Sequence, residues 1–251
     1  MNSEIILETQ GLTREFKGFV AVKDVRLEVR RGSIHTIIGP NGAGKTTCFN
    51  LLTKFLVPSA GTIIYNGRDI TKTGPADIAR LGMVRSFQIS AVFPHLSVLE
   101  NVRIALQRKA SGPFDFLRSE TRLSRYDERA LALLEDVGLA DFSALQAQEL
   151  SYGRKRALEI ATTLALDPEM LLLDEPTAGM GHEDIDRIAA LIRRVSQNRT
   201  ILMVEHNLGV VADLSDHITV LARGEVIAAG DYEAVSKNPV VIEAYIGTAH
   251  A

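Results

Sequence analysis

Apolar positions along the chain follow two alternating patterns. Nearly continuous apolar, β-branched runs occur at Ser33–Ile38, Met170–Leu173, Thr200–Val204 and His217–Leu221, as expected of strands covered on both faces. Between them lies helical periodicity, clearest around His182–Gln197. This alternation predicts an α/β fold with a largely parallel sheet. The opening of the chain differs. Ile5–Thr9, Val25–Val29 and Thr62–Tyr65 read as short strands, with turns at Arg31-Gly32 and Asn66-Gly67, and predict a small antiparallel sheet leaning on the main one. Arg223-Gly224-Glu225 turns into a last strand, and Pro239–Ile246 is a short terminal helix.

From about Ser97 to Leu166 no strand pattern recurs, only helical periodicity interrupted at Ser111-Gly112-Pro113. The expected organisation is one domain, 1–251, with a core at about 1–96 and 167–251 and an inserted helical subdomain at about 97–166. Lys109–Tyr126, rich in charge and loop formers, reads as the most mobile part. Its Arg118, Arg122 and Arg125, with Arg129, would suit RNA or an acidic lipid, but the interleaved Glu120, Asp127 and Glu128 favour a solvated helical face as the expectation.

Charge and composition narrow the function classes. The net charge is −3, from 28 basic and 31 acidic residues, so the basic excess of a dedicated nucleic-acid binder is missing and no nucleic-acid partner is expected. The single cysteine, Cys48, excludes an internal disulfide and suits a reducing cytosol. It reads as a packing residue, with thiol modification as the other reading. The N-terminal MNSEIILETQ lacks the basic and apolar regions of a secretory signal. No run approaches the roughly 18 apolar residues of a membrane span, so work at a membrane would require docking on another protein.

The strongest chemical motif is GPNGAGKTT, formed by Gly39, Pro40, Asn41, Gly42, Ala43, Gly44, Lys45, Thr46 and Thr47. It follows a predicted strand and opens a predicted helix from Gly44, the context a phosphate-binding P-loop requires. Its backbone N–H groups and helix N-terminus suit phosphate oxygens. Lys45 supplies charge to the β- and γ-phosphates, Thr46 a hydroxyl to Mg²⁺ and Thr47 an α-phosphate contact. In MLLLDEP, Met170–Pro176, two acids follow a buried strand. With the P-loop present, Asp174 is expected near the Mg²⁺ and Glu175 beyond the γ-phosphate, where it can polarise an attacking water. His206, in ILMVEHN, closes another strand and would sit beside the γ-phosphate, and Gln88, in VRSFQIS, follows a further apolar segment from which it could reach the metal or the water. Taken singly, each of these two reads as an ordinary surface residue.

Together the motifs resemble the nucleotide-binding subunits of ATP-binding cassette (ABC) transporters. GPNGAGKTT matches that family's Walker A, RSFQ its Q-loop, LSYG its signature, LLLDEP its Walker B and VEH its H-loop, in the family's order. The resemblance implies a P-loop NTPase (RecA-like) core with an N-terminal antiparallel β-subdomain and an inserted helical subdomain. It also implies Glu175 as catalytic base, His206 as holder of the γ-phosphate, and Gln88 as the link between the metal site and a membrane partner. Phe16 falls where the family stacks an aromatic ring on adenine, with Phe19 as competitor.

Family members pair head to tail, so Ser151 and Gly153 of one subunit would cover the nucleotide on the other. Here Tyr152 and Arg154 replace the Gly and Gln of the usual LSGGQ, and Ala178-Gly179-Met180-Gly181 replaces the usual SALD. LSYG, GPFDFLRSE, PTAGM, VEHNLGVV and the closing VIEAYIGT are similar to subunits of branched-chain amino acid importers. Importers of urea and short amides share part of this pattern, and a soluble ABC ATPase is the rival outside transport. The resemblance implies ATP and Mg²⁺, two transmembrane permeases and a second, often unlike, cassette. It further implies an extracytoplasmic substrate-binding protein and a position on the cytoplasmic face of the membrane.

Overall fold

The computed structural model describes residues 4–86, 92–110 and 126–246. The chain begins with a long hairpin, β1 (Ile5–Phe16) and β2 (Phe19–Arg30), before the central strand β3 (Ile34–Ile38). Next come helix α1 (Lys45–Leu52), β4 (Ala60–Tyr65), the two-residue β5 (Arg68–Asp69), α2 (Pro75–Arg80) and β6 (Met83–Ser86). The helical region holds α3 (Val98–Ala110), α4 (Asp127–Asp136), two 3₁₀ turns (Ala140–Phe142 and Ala147–Glu149) and α5 (Tyr152–Leu164). The chain then alternates through β7 (Met170–Asp174), α6 (His182–Ser196), β8 (Thr200–Val204), α7 (Leu208–Leu214), β9 (His217–Ala222) and β10 (Glu225–Gly230). It closes with α8 (Tyr232–Ser236) and α9 (Pro239–Ile246).

Two sheets result. One has the order β2-β1-β4-β5, the other β10-β9-β3-β8-β7-β6. In the larger sheet β9, β3, β8, β7 and β6 run parallel, and β10 is an antiparallel edge. Every residue of β3, β7 and β8 is buried, because both faces of the sheet are covered. Alternate side chains go to different cores. Leu171, Leu173, Ile201 and Met203 pack with α3–α7, whereas Met170, Leu172, Leu202 and Val204 pack with α1 and the antiparallel sheet.

The hairpin strands are longer than the sequence pattern predicts. The register of β1 on β2 shifts between Thr9 and Leu12, between Leu12 and Arg14, and between Arg14 and Glu15. Such bulges break the strict alternation from which a strand is recognised. β6, α2, α7 and α8 also went unpredicted. Each is short, and β6 carries Arg85 inside an otherwise apolar run. Among the described residues, Ser97–Leu166 holds no strand beyond one isolated bridge from Ser97 to Gln146. The interruption at Ser111-Gly112-Pro113 and most of Lys109–Tyr126, with Arg118, Glu120, Arg122 and Arg125, lie outside the described residues.

The two sheets also enclose a pair of histidines. His35 and His217 meet edge to face with ring centroids 4.9 Å apart, and His35 Nε2 lies 2.9 Å from Thr219 Oγ1. Burial, then the neighbouring His217, lowers the pKa of His35 to about 3. Cys48 packs fully buried in the core beneath α1. Burial raises its thiol to about 12, so the modification reading gives way to the packing one: a buried thiol is inert.

Candidate active site

The parallel register brings the motif residues to one edge. Ile37 of β3 faces Val204 of β8, and Val204 faces Asp174 of β7. The segments that follow these strands (Gly39–Thr47, Glu175–Gly181 and Glu205–Asn207) therefore emerge side by side at the C-terminal end of the sheet, the usual ligand position in open α/β folds.

The P-loop wraps tightly from β3 into α1. Gly39 has φ 152° and Gly44 φ 98°. A Cβ on Gly39 would sit 2.1 Å from the Leu221 carbonyl oxygen, and one on Gly44 would sit 2.5 Å from that of Ala21. These two glycines are therefore demanded by the loop's own packing against β9 and β2. Lys45 is buried, and its Nζ donates to the carbonyls of Gly39 (2.7 Å) and Pro40 (3.0 Å). Burial lowers its pKa, and the charge of nearby Glu175 opposes that shift. Asn41, Gly42 and Thr46 are exposed, Thr47 is half-buried, and Ala43 is buried. The Thr46 hydroxyl thus lies on the open side of the first turn of α1.

Asp174 ends β7 almost fully buried. Its Oδ2 pairs with the Arg85 guanidinium, and its main-chain carbonyl accepts from Arg156 at 2.8 Å. Its other oxygen, Oδ1, is buried without a hydrogen-bond partner. An orphaned carboxylate oxygen beside a P-loop fits a Mg²⁺ ligand, directly or through water. Among the described residues no group of three or more His, Cys, Asp or Glu could cage a metal by itself. A hydroxyl, one carboxylate and phosphate oxygens are the set that Mg²⁺ takes at nucleotide sites. Gln88, the third expected ligand, lies outside the described residues.

Glu175 has φ 45°, a left-handed conformation that costs about 1–3 kcal/mol and persists only where the surroundings impose it. Its N–H donates to Val204 O at 2.9 Å, and its carbonyl accepts from Ala178 N–H at 3.1 Å. The side chain is aimed at the next loop, where Oε1 lies 2.6 Å from His206 Nε2. Acid and imidazole, 31 residues apart in sequence, form one hydrogen-bonded pair at the mouth of the P-loop.

Ser151 and Gly153 belong to a different surface. Ser151 is the exposed N-cap of α5, its hydroxyl accepting from Arg154 N–H at 3.5 Å. Gly153 is buried against α6, where an added Cβ would sit 2.5 Å from Asp184 Oδ1. Tyr152 points outward, 61% exposed. Arg154 lays its guanidinium 4.0 Å from the Phe142 ring centroid. Phe16 ends β1, directly opposite Phe19 across the hairpin turn, and has Arg14 stacked 4.6 Å from its ring centroid. Phe16 is 38% exposed and Phe19 68%. The same hairpin abuts Gly44 through Ala21.

Arg85, Arg156, Thr177 and Glu205 belong to this constellation and escaped the sequence reading. Glu205 could have been found by the signal that revealed Asp174: an acid directly after a buried strand. Arg85 opens the RSFQ motif directly after an apolar segment, where a buried cation implies a buried anion.

The family profile described as ABC transporter matches residues 22–178. A second, described as branched-chain amino acid ATP-binding cassette transporter, matches residues 225–251. The high-affinity branched-chain amino acid transport ATP-binding protein BraF of Pseudomonas aeruginosa is 40% identical, covering 98% of this chain and 100% of its own. The corresponding protein LivG of Escherichia coli is 39% identical with the same coverage. Among solved structures, MJ1267, an ATP-binding cassette of an ABC transporter, superposes with a TM-score of 0.86 at 32% identity, over 97% of this chain and 100% of that one.

Proposed function

The chain belongs to the ABC transporter family, and from that membership we propose that it is the ATP-hydrolysing subunit of an importer of branched-chain amino acids. The observation that carries the catalytic reading is the Glu175–His206 pair, 2.6 Å apart beside the buried Lys45. The substrate class rests on the match over residues 225–251 and on the names of the relatives. That terminal match favours amino-acid uptake over an importer of urea or short amides and over a soluble ABC ATPase.

In this reading the P-loop N–H groups and Lys45 bind the phosphates of ATP, Thr47 assists, and Phe16 stacks on the base. Glu175 accepts a proton from the attacking water, and His206 orients both Glu175 and the γ-phosphate. Thr46, Asp174 and Gln88 would hold Mg²⁺, which supplies charge neutralisation at the phosphate oxygens. Positioning and fixed positive charge lower most of the barrier, as phosphoryl transfer involves little covalent help from protein. Ser151 and Gly153, at the N-terminus of α5, face the nucleotide on a second cassette in a head-to-tail pair. Closure of that pair drives two permeases, and reopening follows hydrolysis. The segment at about 97–166 is assigned as the inserted helical subdomain on the strength of α3, α4 and α5.

No helix among the described residues is long and apolar enough to cross a membrane. In the proposed assembly, suggested by the transporter names of the relatives, the chain docks on the permeases at the cytoplasmic face, with a binding protein delivering substrate outside. Affinity purification from detergent-solubilised membranes tests the assembly. Recovery of two polytopic permeases and a second cassette is expected. Recovery only from the soluble fraction, with ribosomes or DNA, contradicts it.

A further inference from the structure

Glu205 directly follows β8 and is 2% exposed. Its Oε1 accepts from the Thr177 N–H at 3.1 Å and from the Thr177 hydroxyl. Its Oε2 accepts from the N–H groups of His206 at 2.6 Å and Asn207 at 3.0 Å. Each oxygen thus serves one turn: Oε1 the turn after β7 that carries Glu175, and Oε2 the turn after β8 that carries His206. We infer that Glu205 is a positioning residue for hydrolysis, clamping these two turns so that Glu175 and His206 stay within hydrogen-bonding distance. The inference rests on the reading of Glu175 as the base.

Three features support the clamp over a merely structural buried acid. Glu175 sits in a left-handed conformation, so the turn needs external restraint near it, and Thr177 is two residues away. The far side of the second turn has its own anchor, since Asn207 Oδ1 caps α7 by accepting from Gly209 and Val210 N–H. The Glu205 contacts therefore act on the stretch nearest His206. Finally, all four partners are donors, which an amide cannot match. Glutamine has a single acceptor oxygen and would turn an NH₂ group toward N–H donors on one side, releasing one turn while keeping the shape of the side chain.

The test uses the transporter assembled with its permeases and partner cassette, with Glu175→Gln in the same complex setting the floor. Glu205→Gln is expected to lower kcat about ten- to a hundredfold, the scale of a small misplacement of reacting groups, while ATP affinity stays at the wild-type value. Thr177→Val removes only the hydroxyl contact and is expected to lower kcat less, with Thr177→Ser restoring it. Unchanged kcat in both Glu205→Gln and Thr177→Val overturns the inference. So does a kcat that falls only in step with ATP affinity and melting temperature. A wild-type complex without ATPase activity would instead remove the catalytic reading on which the clamp depends.

Discussion

Glu175 and His206 form a single unit, with Oε1 of the acid 2.6 Å from Nε2 of the imidazole and the backbone of the acid held in the left-handed region. Residues that act as a unit are non-additive when removed. Glu175→Gln is expected to lower ATP turnover by about 10²–10⁴-fold, the contribution of a positioned general base, with ATP binding retained. His206→Ala should also lose turnover, and the double variant should be no slower than the slower single one. Steady-state ATPase rates beside equilibrium nucleotide binding check this. Fully additive losses would mean that the two side chains work independently.

Arg85 holds one oxygen of the buried Asp174, and the other has no hydrogen-bond partner. The same guanidinium donates to Asn50 at 2.6 Å and lies over the rings of Phe49 and Phe55. Removing one member of a buried ion pair strands the other, typically at about 3–5 kcal/mol. Arg85→Ala should therefore lower unfolding stability by that amount and weaken Mg²⁺-dependent nucleotide binding, both readable by denaturant titration and calorimetry. A variant as stable as wild type would show that water replaces the guanidinium.

Gly153 has two candidate reasons to be glycine: packing against Asp184 and approach to a nucleotide on the partner cassette. An added methyl displaces the Asp184 carboxylate, which Arg187 also holds at 2.8 Å. Gly153→Ala should lose about 1–3 kcal/mol from overpacking, and Asp184→Ala should recover it. ATPase activity is expected to remain low in that double variant, because the helix N-terminus still cannot approach the phosphate closely. Recovery of activity together with stability would reduce Gly153 to a packing residue.

His35 makes stability depend on pH. Its pKa is about 3 when folded and ordinarily 6.5, so between these values the unfolded chain binds a proton that the folded chain does not. Stability is then fully present above about pH 6.5 and is lost as the pH falls toward 3, by up to about 1.4 kcal/mol per pH unit. His217, lowered by burial, acts in the same direction. Denaturant unfolding of His35→Gln across this range should show a slope shallower by nearly one proton. An identical slope would contradict the assignment.

Much of this was legible in the sequence because motif and periodicity coincide. Buried runs such as Thr200–Val204 lead straight into chemistry-bearing residues, so strand and site were read together. What escaped depends on contacts between distant segments. That Gly39 and Gly44 are needed by the backbones of β9 and β2, that Arg154 turns to Phe142, and that Glu205 joins two loops are facts of packing. No local pattern encodes them. The hairpin is longer than its pattern suggests because bulges scramble the alternation, although Gly11, at positive φ, falls within one of the shifts.

Hydrolysis by this chain is proposed to power uptake of branched-chain amino acids. This is tested most directly by reconstituting the assembled transporter in liposomes and following ATP-dependent accumulation of radiolabelled leucine, isoleucine and valine. Accumulation is expected with the wild-type chain and none above background with Glu175→Gln, although the variant complex still binds ATP. Accumulation undiminished by that substitution would contradict it.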